Sequence, residues 1–411
     1  MAIKLISIDD ARSRVLAEAL VLSVETLPLA EVVGRILGEE IVASHSVPPF
    51  DNAGMDGFAV RAVDIVDAAG DKPVSLHVLE TIPAGRVATH ALGLEQATKI
   101  MTGAPIPEGA DVVVQSEATE ERDGRVLIFE AAKRGKNIRR AGEDVEAGGR
   151  VLGPGSILGP AEIGLIASLG RPTVQVHRLP RVAILSTGSE LVEVDRPLGP
   201  GQIHNSNSYS LRALCQQMGI EPTMLGIVPD DYDATKDMVQ KGLDYDVLLT
   251  TGGVSVGQFD FIKDIQDELG VQRRLWGVAM KPGKPLVFGV HDRTLVFGLP
   301  GNPVSAMVSF ELFVRPALLH LMGHANTVRP LYRAVMSENA SNSDGRVYVV
   351  RVRAWREDGT WHVSSTGAQG SGILRSMVGA NGLVFIPGGT RGVKAGETVD
   401  FLLLREDLQA P

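Results

Sequence analysis

The residues best placed to do chemistry in this chain of 411 residues sit at glycine-broken turns. Leu248 to Asp260, LLTTGGVSVGQFD, passes from an apolar segment into threonines and paired glycines and closes on a carboxylate. Hydroxyls and bare backbone N–H groups at a strand end can receive an anion. KPGKP, Lys281 to Pro285, sets two ammonium groups three residues apart on a stiff turn. That spacing suits phosphate or another oxyanion, and it equally suits a solvated surface turn. GLPGNPVSA, Gly298 to Ala306, delivers a strand into a helix start with Asn302 at the cap and Pro303 at the first position. Amides and dipole there favour an anion, although a plain proline-capped helix reads the same way. Carboxylates recur at turns: Asp56, Glu190, Asp230, Asp231, Asp260 and Asp264. At turns such groups act as magnesium ligands, as general acids or bases, or simply as caps.

These groups need elements to hold them. Between Pro180 and Gly323 strand and helix patterns alternate, which predicts a doubly wound α/β domain with a mostly parallel sheet. In that architecture ligands bind beyond the carboxyl ends of the strands. Thr187-Gly188-Ser189-Glu190, Pro229-Asp230-Asp231 and Thr251-Gly252-Gly253 each follow a strand, so all three are expected on one rim. Residues 5 to 45 read as mainly helical, first on a face of Ile8, Ala11, Val15 and Ala19, then over Leu29 to Ile41. From Gly57 to about Gly149 short β-like runs with an Asp123-Gly124 hairpin signal predict a β-rich insert. After Val328 the pattern is β again, with turns at Asp358-Gly359 and Pro387-Gly388-Gly389, which predicts a small barrel or sandwich. The expected domains are a helical or mixed linking domain at 1–46 with 146–179, the β-rich insert at 47–145, the α/β domain at 180–327 and a C-terminal β-barrel-like domain at 328–411.

Composition narrows the chemistry further. A formal charge of −9 argues against broad electrostatic binding of nucleic acid, while leaving room for a local basic cluster. The single cysteine, Cys215, excludes an intramolecular disulfide or a cysteine metal cage, and its helical spacing with Leu211, Leu214 and Met218 makes it a core thiol. No GxxxxGK[ST], no GxGxxG after a strand and no HExxH is present, and the nine histidines are scattered. The N-terminus lacks the order of a signal peptide and no apolar run reads as a bilayer span, so a cytoplasmic protein without a membrane partner is expected. KRGKNIRR, Lys133 to Arg140, reads as a solvated face or, followed by Gly142-Glu143-Asp144, as a paired and ordered loop.

Taken in order, DNAGMDGFAV, MTGAP, RRAGEDV, LSTGSEL, QIHNSN, TTGGVSVGQFD, KPGKP and LPGNPVSA resemble the molybdopterin molybdenumtransferase family, whose relatives include plant two-domain cofactor proteins and the E domain of gephyrin. The resemblance spans nearly the full chain. It implies a homodimer of four-domain subunits, with the α/β domain binding molybdopterin and facing the partner's insert, and the linking domain serving dimerisation. The implied reaction inserts molybdate into adenylylated molybdopterin and releases AMP, with magnesium as the divalent cation.

Carried over by motif, Asp56, Thr102, Asp144, Glu190, Asp260, Lys281 and Lys284 fall on functional positions, and Ser371 in GAQGSGIL matches more loosely. Glu190 and Asp260 are the implied metal ligands. Asp56, Thr102, Glu190, Asp260, Lys281 and Lys284 form the implied catalytic set, while Ser186, Thr187, Gly188, Asn207, Gly252, Gly253, Ser255, Pro300, Asn302 and Pro303 join Asp144 and Ser371 around the substrate. Asn205 replaces a commonly acidic residue, and Gly54 and Phe58 depart more mildly. A molybdopterin adenylyltransferase, itself a single small domain, would be the donor of the adenylylated substrate and is also a competing reading. A gephyrin-type scaffold is a second, though the extra domain and linker of that role are missing.

Overall fold

In the computed structural model, which describes residues 5–253 and 262–405, alternate residues of the strand Val182–Thr187 enter different cores. Val182 and Ile184 pack with Leu211, Cys215, Leu249 and Phe297, whereas Ala183 and Leu185 pack with Val239, Leu248, Ile265 and Val296. This is the period of a strand covered on both faces, and each fully buried aliphatic side chain contributes roughly 1.5–3 kcal/mol. The sheet runs Thr223–Val228, Val182–Thr187, Val247–Thr251, Thr294–Leu299, Val287–His291, Gln272–Trp276. Its first four strands pair in parallel and only Val287–His291 runs the other way, the mostly parallel sheet that the alternating pattern predicts.

The helices begin where the capping residues stand. Asn205 accepts the Ser208 amide ahead of Ser206–Gln216, Asp231 accepts that of Ala234 ahead of Tyr232–Gly242, and Ser7 accepts that of Asp10 ahead of Ile8–Glu18. Ile8, Ala11, Val15 and Ala19 do form one face, and it packs into the core that holds Ile184 and Phe297. Cys215 is fully buried in that core, and burial followed by the Glu221 charge pushes its thiol up to about 12. A buried thiol of that kind is a small hydrophobe, not a nucleophile.

The helix from Pro303 to Leu321 contains a π-helical turn at Phe310–Val314, just before Pro316, a residue that has no amide to give the turn below it. Its 19 residues are long and apolar enough to cross a bilayer, which the sequence pattern did not suggest, but the helix is mostly buried inside the fold.

The C-terminal strands close into a barrel. Val347–Glu357 pairs with Thr360–Ser365 on one side and with Gly382–Ile386 on the other, and Leu331–Met336 and Thr398–Leu403 complete the ring. Positive φ at Asp358 and Gly359 makes the expected tight hairpin. A two-residue strand, Met280–Lys281, leaves the α/β region and pairs in parallel with Val347 and Tyr348, so KPGKP starts on the barrel's edge.

Contacts divide the chain into Met1–Glu25 with His177–Pro411 and, separately, Thr26–Val176. The second unit holds a six-stranded sheet in the order Val112–Gln115, Gly57–Val60, Gln96–Ile100, Val74–Ile82, Arg125–Ile128, Thr119–Arg122, with the Asp123-Gly124 hairpin joining the last two. Beside it lies an apolar cluster of Val32, Leu37, Ile41, Leu158, Ile166 and Val176. The helix expected over Leu29 to Ile41 is absent: only Leu29–Glu31 forms a helical turn. Its spaced apolar residues are buried as expected, but Pro28 precedes them and Gly34 takes φ +76°, and Ile36 and Leu37 bridge to Ile157 and Val176 instead. Apolar spacing reported burial there and not helix.

Candidate functional site

Three parallel strand ends meet at the rim. Ser186 pairs with Thr251 and Thr251 with Leu299, so the turns after them are neighbours. Gly252 takes φ +93° and approaches so closely that a Cβ there would lie 2.3 Å from the Thr187 carbonyl oxygen. Asn207 ties the rim together, its Nδ2 donating to Thr251 Oγ1 at 2.8 Å and to the Gly301 carbonyl at 2.7 Å. Thr251 Oγ1 lies 3.5 Å from the Pro300 carbonyl.

Among the described residues two buried polar atoms at this rim have no hydrogen-bond partner, Thr187 Oγ1 and Asn207 Oδ1. Unsatisfied groups of this kind are uncommon in native interiors, which leaves both atoms free to bond a water or a ligand. Ser186 differs: it is fully buried and its hydroxyl bonds to Asn205 Oδ1 at 3.0 Å and Ser208 Oγ at 2.6 Å, bracing the helix start. The same network explains Asn205, which is a helix cap here. Gly253 follows at φ +62°. Gly188 lies beneath Glu190, whose exposed carboxylate folds back over it and, among the described residues, has no hydrogen-bond or ion-pair partner. Asp230 is anchored, accepting the Ser189 amide at 3.1 Å. Ser255 and Asp260 lie outside the described residues.

Next to the rim is a cavity of about 520 Å³ that gathers Lys281, Lys284, Asn302, Arg346, Tyr348 and Ser371. Lys281 and Lys284 are exposed, and among the described residues neither forms a direct ion pair with a carboxylate. The Lys281 ammonium stands 5.1 Å from the centre of the Tyr348 ring. Arg346 is forked onto Asp344, with Nε donating to Oδ1 at 2.8 Å. That guanidinium, helped by Lys281, holds the Asp344 carboxyl down at about 2. Three cations therefore face one carboxylate, and the surplus suits a dianion.

Asn302 occupies the helix cap without a side-chain cap bond, and Pro303 begins the helix. The Val304 amide donates to the Ser371 carbonyl at 3.2 Å, so the barrel loop takes part of the helix start. Below that loop Arg351 is fully buried and donates to the Gly370 carbonyl and to Ser376 Oγ, each at 3.2 Å. Arg346 and Tyr348 were not readable as site residues, because only the pairing of Met280–Lys281 with Val347–Tyr348 brings them there.

In the other unit Gly57 pairs with Ile100, which places Asp56 beside Thr102 just past the strand ends. Thr102 donates to Asp56 Oδ1 through its hydroxyl at 2.6 Å and its amide at 2.7 Å. Those two bonds, the hydroxyl's first, hold the exposed Asp56 carboxyl below its ordinary value. Thr102→Val is accordingly expected to raise the Asp56 pKa toward that of a free aspartate, read by NMR titration of its side-chain carbon. An unmoved titration would remove the hydroxyl from the pair. The basic run is an ordered loop: Arg140 pairs with Asp51 at 2.5 Å, Lys136 with Glu130 at 2.8 Å, and the Arg140 amide donates to Glu143. Asp144, exposed, is fixed through its amide to the Val47 carbonyl at 3.1 Å.

Comparison with known proteins matches the MoeA N-terminal region (domains I and II) to residues 6–170, a probable molybdopterin binding domain to 183–320 and the MoeA C-terminal region (domain IV) to 333–404. Molybdopterin molybdenumtransferase from Staphylococcus epidermidis is 36% identical over 97% of this chain and 95% of its own length. The Staphylococcus aureus protein of that name is 35% identical over 98% and 96%. A crystal structure of the molybdopterin biosynthesis MoeA protein from Pyrococcus horikoshii superimposes with a TM-score of 0.81 at 32% identity, covering 97% of this chain and 100% of that one. Identity of this level over nearly the whole of each chain, with the fold in common, places the chain in the molybdopterin molybdenumtransferase (MoeA) family.

Proposed function

We propose that this protein inserts molybdate into adenylylated molybdopterin and releases AMP, as a step of molybdenum cofactor biosynthesis. The observation that carries the reading is the cavity in which Lys281, Lys284 and Arg346 converge with Ser371 beside a helix start. Molybdate is a tetrahedral dianion, and a surplus of point charges beside a hydroxyl suits it. The cavity is larger than one oxyanion needs and adjoins the rim, where Thr187, Asn207 and the turn at Gly253 receive the phosphate end of the pterin.

Among the described residues no group of three or more His, Cys, Asp and Glu side chains forms a ready-made metal cage. Magnesium does not need one, since it commonly binds through one or two carboxylates and substrate phosphates, and an unpartnered Glu190 on the rim fits that habit. In this reading Glu190 and Asp260 hold the ion, which supplies charge neutralisation to the pyrophosphate when bound. Asp56, kept ionised by Thr102, and Asp144 belong to the same reaction and arrive from the second subunit of a homodimer. The adenylylated substrate is handed over by a molybdopterin adenylyltransferase, and the reaction is cytoplasmic.

The test is direct. Purified protein supplied with adenylylated molybdopterin, molybdate and magnesium should release AMP in step with the formation of active cofactor, from a species of dimer mass by light scattering. Absence of AMP release from folded protein would overturn the transferase reading. Capture of a peptide without turnover would favour a scaffold, and consumption of ATP with unmodified molybdopterin would favour an adenylyltransferase.

A further inference from the structure

The C-terminal barrel carries a second cavity, of about 480 Å³, lined in part by residues that flank the loop supplying Ser371. Arg353, Ser364, Ile373, Arg375 and Val378 line it, and it shares no lining residue with the lysine cavity. Strand register builds its floor. Arg353 pairs directly with Ser364 across Val347–Glu357 and Thr360–Ser365, so both side chains stand on one face. Arg351 stands on that face two residues along, fully buried, with carbonyls and Ser376 Oγ for partners and no carboxylate. On the other side of Arg353, Trp355 and His362 are paired and their rings stack with centroids 5.7 Å apart.

Among the described residues the side chains of Arg353 and Arg375 make no ion pair or hydrogen bond, and that of Ser364 has no partner. The carboxylate that reaches this strand end, Glu338, accepts the Ser365 amide at 2.6 Å. Arg405 adds a further guanidinium at the margin, donating to the Val378 carbonyl at 2.9 Å. In a chain with a formal charge of −9, the guanidinium groups of Arg353 and Arg375, which form no ion pair among the described residues, make a local field for an anion. Two planar forks and a hydroxyl offer more donors than a carboxylate accepts and match the three terminal oxygens of a phosphate group. Ile373 and Val378, 40% and 71% exposed, border the same opening and want an apolar body attached to that phosphate.

We propose that this barrel cavity binds an organic phosphate monoester, with Arg353, Arg375 and Ser364 on the phosphate and Ile373 and Val378 against the apolar portion. The site is separate from the chemistry proposed above and does not depend on it.

Isothermal titration of the full-length protein with 1-naphthyl phosphate tests this, in a Lys281→Gln, Lys284→Gln background that weakens the first cavity. One equivalent is expected to bind. Adding Arg353→Gln or Arg375→Gln should weaken binding about tenfold or more, as for loss of a charge-assisted bond. Neither arginine side chain has a partner among the described residues, so melting temperatures should hold, and the titration then reports the site itself. Inorganic phosphate and 1-naphthoate should each bind more weakly than the ester. No binding, or binding insensitive to both arginine changes, would overturn the site. Equal binding of naphthoate would overturn the phosphate, and equal binding of inorganic phosphate the apolar contact.

Discussion

Exchanging both lysines of the first cavity, Lys281→Gln with Lys284→Gln, is expected to lower molybdate-dependent AMP release by about 100-fold or more at limiting molybdate, taking roughly 1.5–3 kcal/mol for each charge-assisted hydrogen bond removed. The expectation follows from the charge count. With both lysines gone, Arg346 alone faces the ligand, and it is already forked onto Asp344. A dianion would then meet a nearly neutral wall. The effect should fall mainly on KM for molybdate, because these groups hold an oxyanion that is charged before the reaction as well as during it. Both side chains are exposed and make no ion pair among the described residues, so thermal melting should be unchanged. Added salt should raise the wild-type KM as well, since exposed charges are screened. A double variant with the parent's KM would remove the lysines from oxyanion binding.

Gly252→Ala is expected to destabilise its unit by about 2–4 kcal/mol, combining a left-handed backbone penalty with a clash against main chain. At φ +93° the new methyl would sit 2.3 Å from the Thr187 carbonyl oxygen and 2.9 Å from Thr187 Oγ1. Neither strand can retreat readily, because the Gly252 amide is bonded to the Leu299 carbonyl at 3.3 Å and both flanking strands are in parallel register with Val247–Thr251. A melting point lower by on the order of 5 °C or more should result, together with loss of turnover as Thr187 is displaced. Gly270→Ala is the control: φ is +77° but nothing lies within 4 Å of the added carbon, so only the backbone penalty of roughly 1–2 kcal/mol applies. Equal melting of the two variants would show that the rim yields to the methyl.

Local chemistry made much of this architecture readable. Asn205, Asp231 and Ser7 start helices because a short side-chain oxygen reaches an amide that the helix leaves bare. Asp123-Gly124 and Asp358-Gly359 turn hairpins because both positions tolerate positive φ. The rim was readable too, since the carboxyl ends of parallel strands are fixed by the alternation itself. Burial without regular structure was not: Val32, Ile36, Leu37 and Ile41 carry a helical spacing but are met by partners distant in sequence. The lysine cavity was half readable. KPGKP announces itself by composition, whereas Arg346 and Tyr348 acquire meaning only through a two-residue pairing across an intervening stretch of chain. Ser186 stands at the same strand end. Its neighbours belong to the rim, but its hydroxyl is buried against Asn205 and Ser208.

The contact between the Val304 amide and the Ser371 carbonyl ties the helix start beside the lysine cavity to the barrel loop. A ligand that took this amide for itself would have to displace the Ser371 carbonyl, and one that left the bond in place would leave the loop where it is. By reciprocity, a change that loosens the loop, such as one at Arg351 beneath Gly370, must alter ligand affinity by the same factor with which the ligand alters the loop. The barrel thus supplies a thermodynamic handle on the site, and the strength with which an oxyanion binds becomes a measure of how firmly the barrel loop is held.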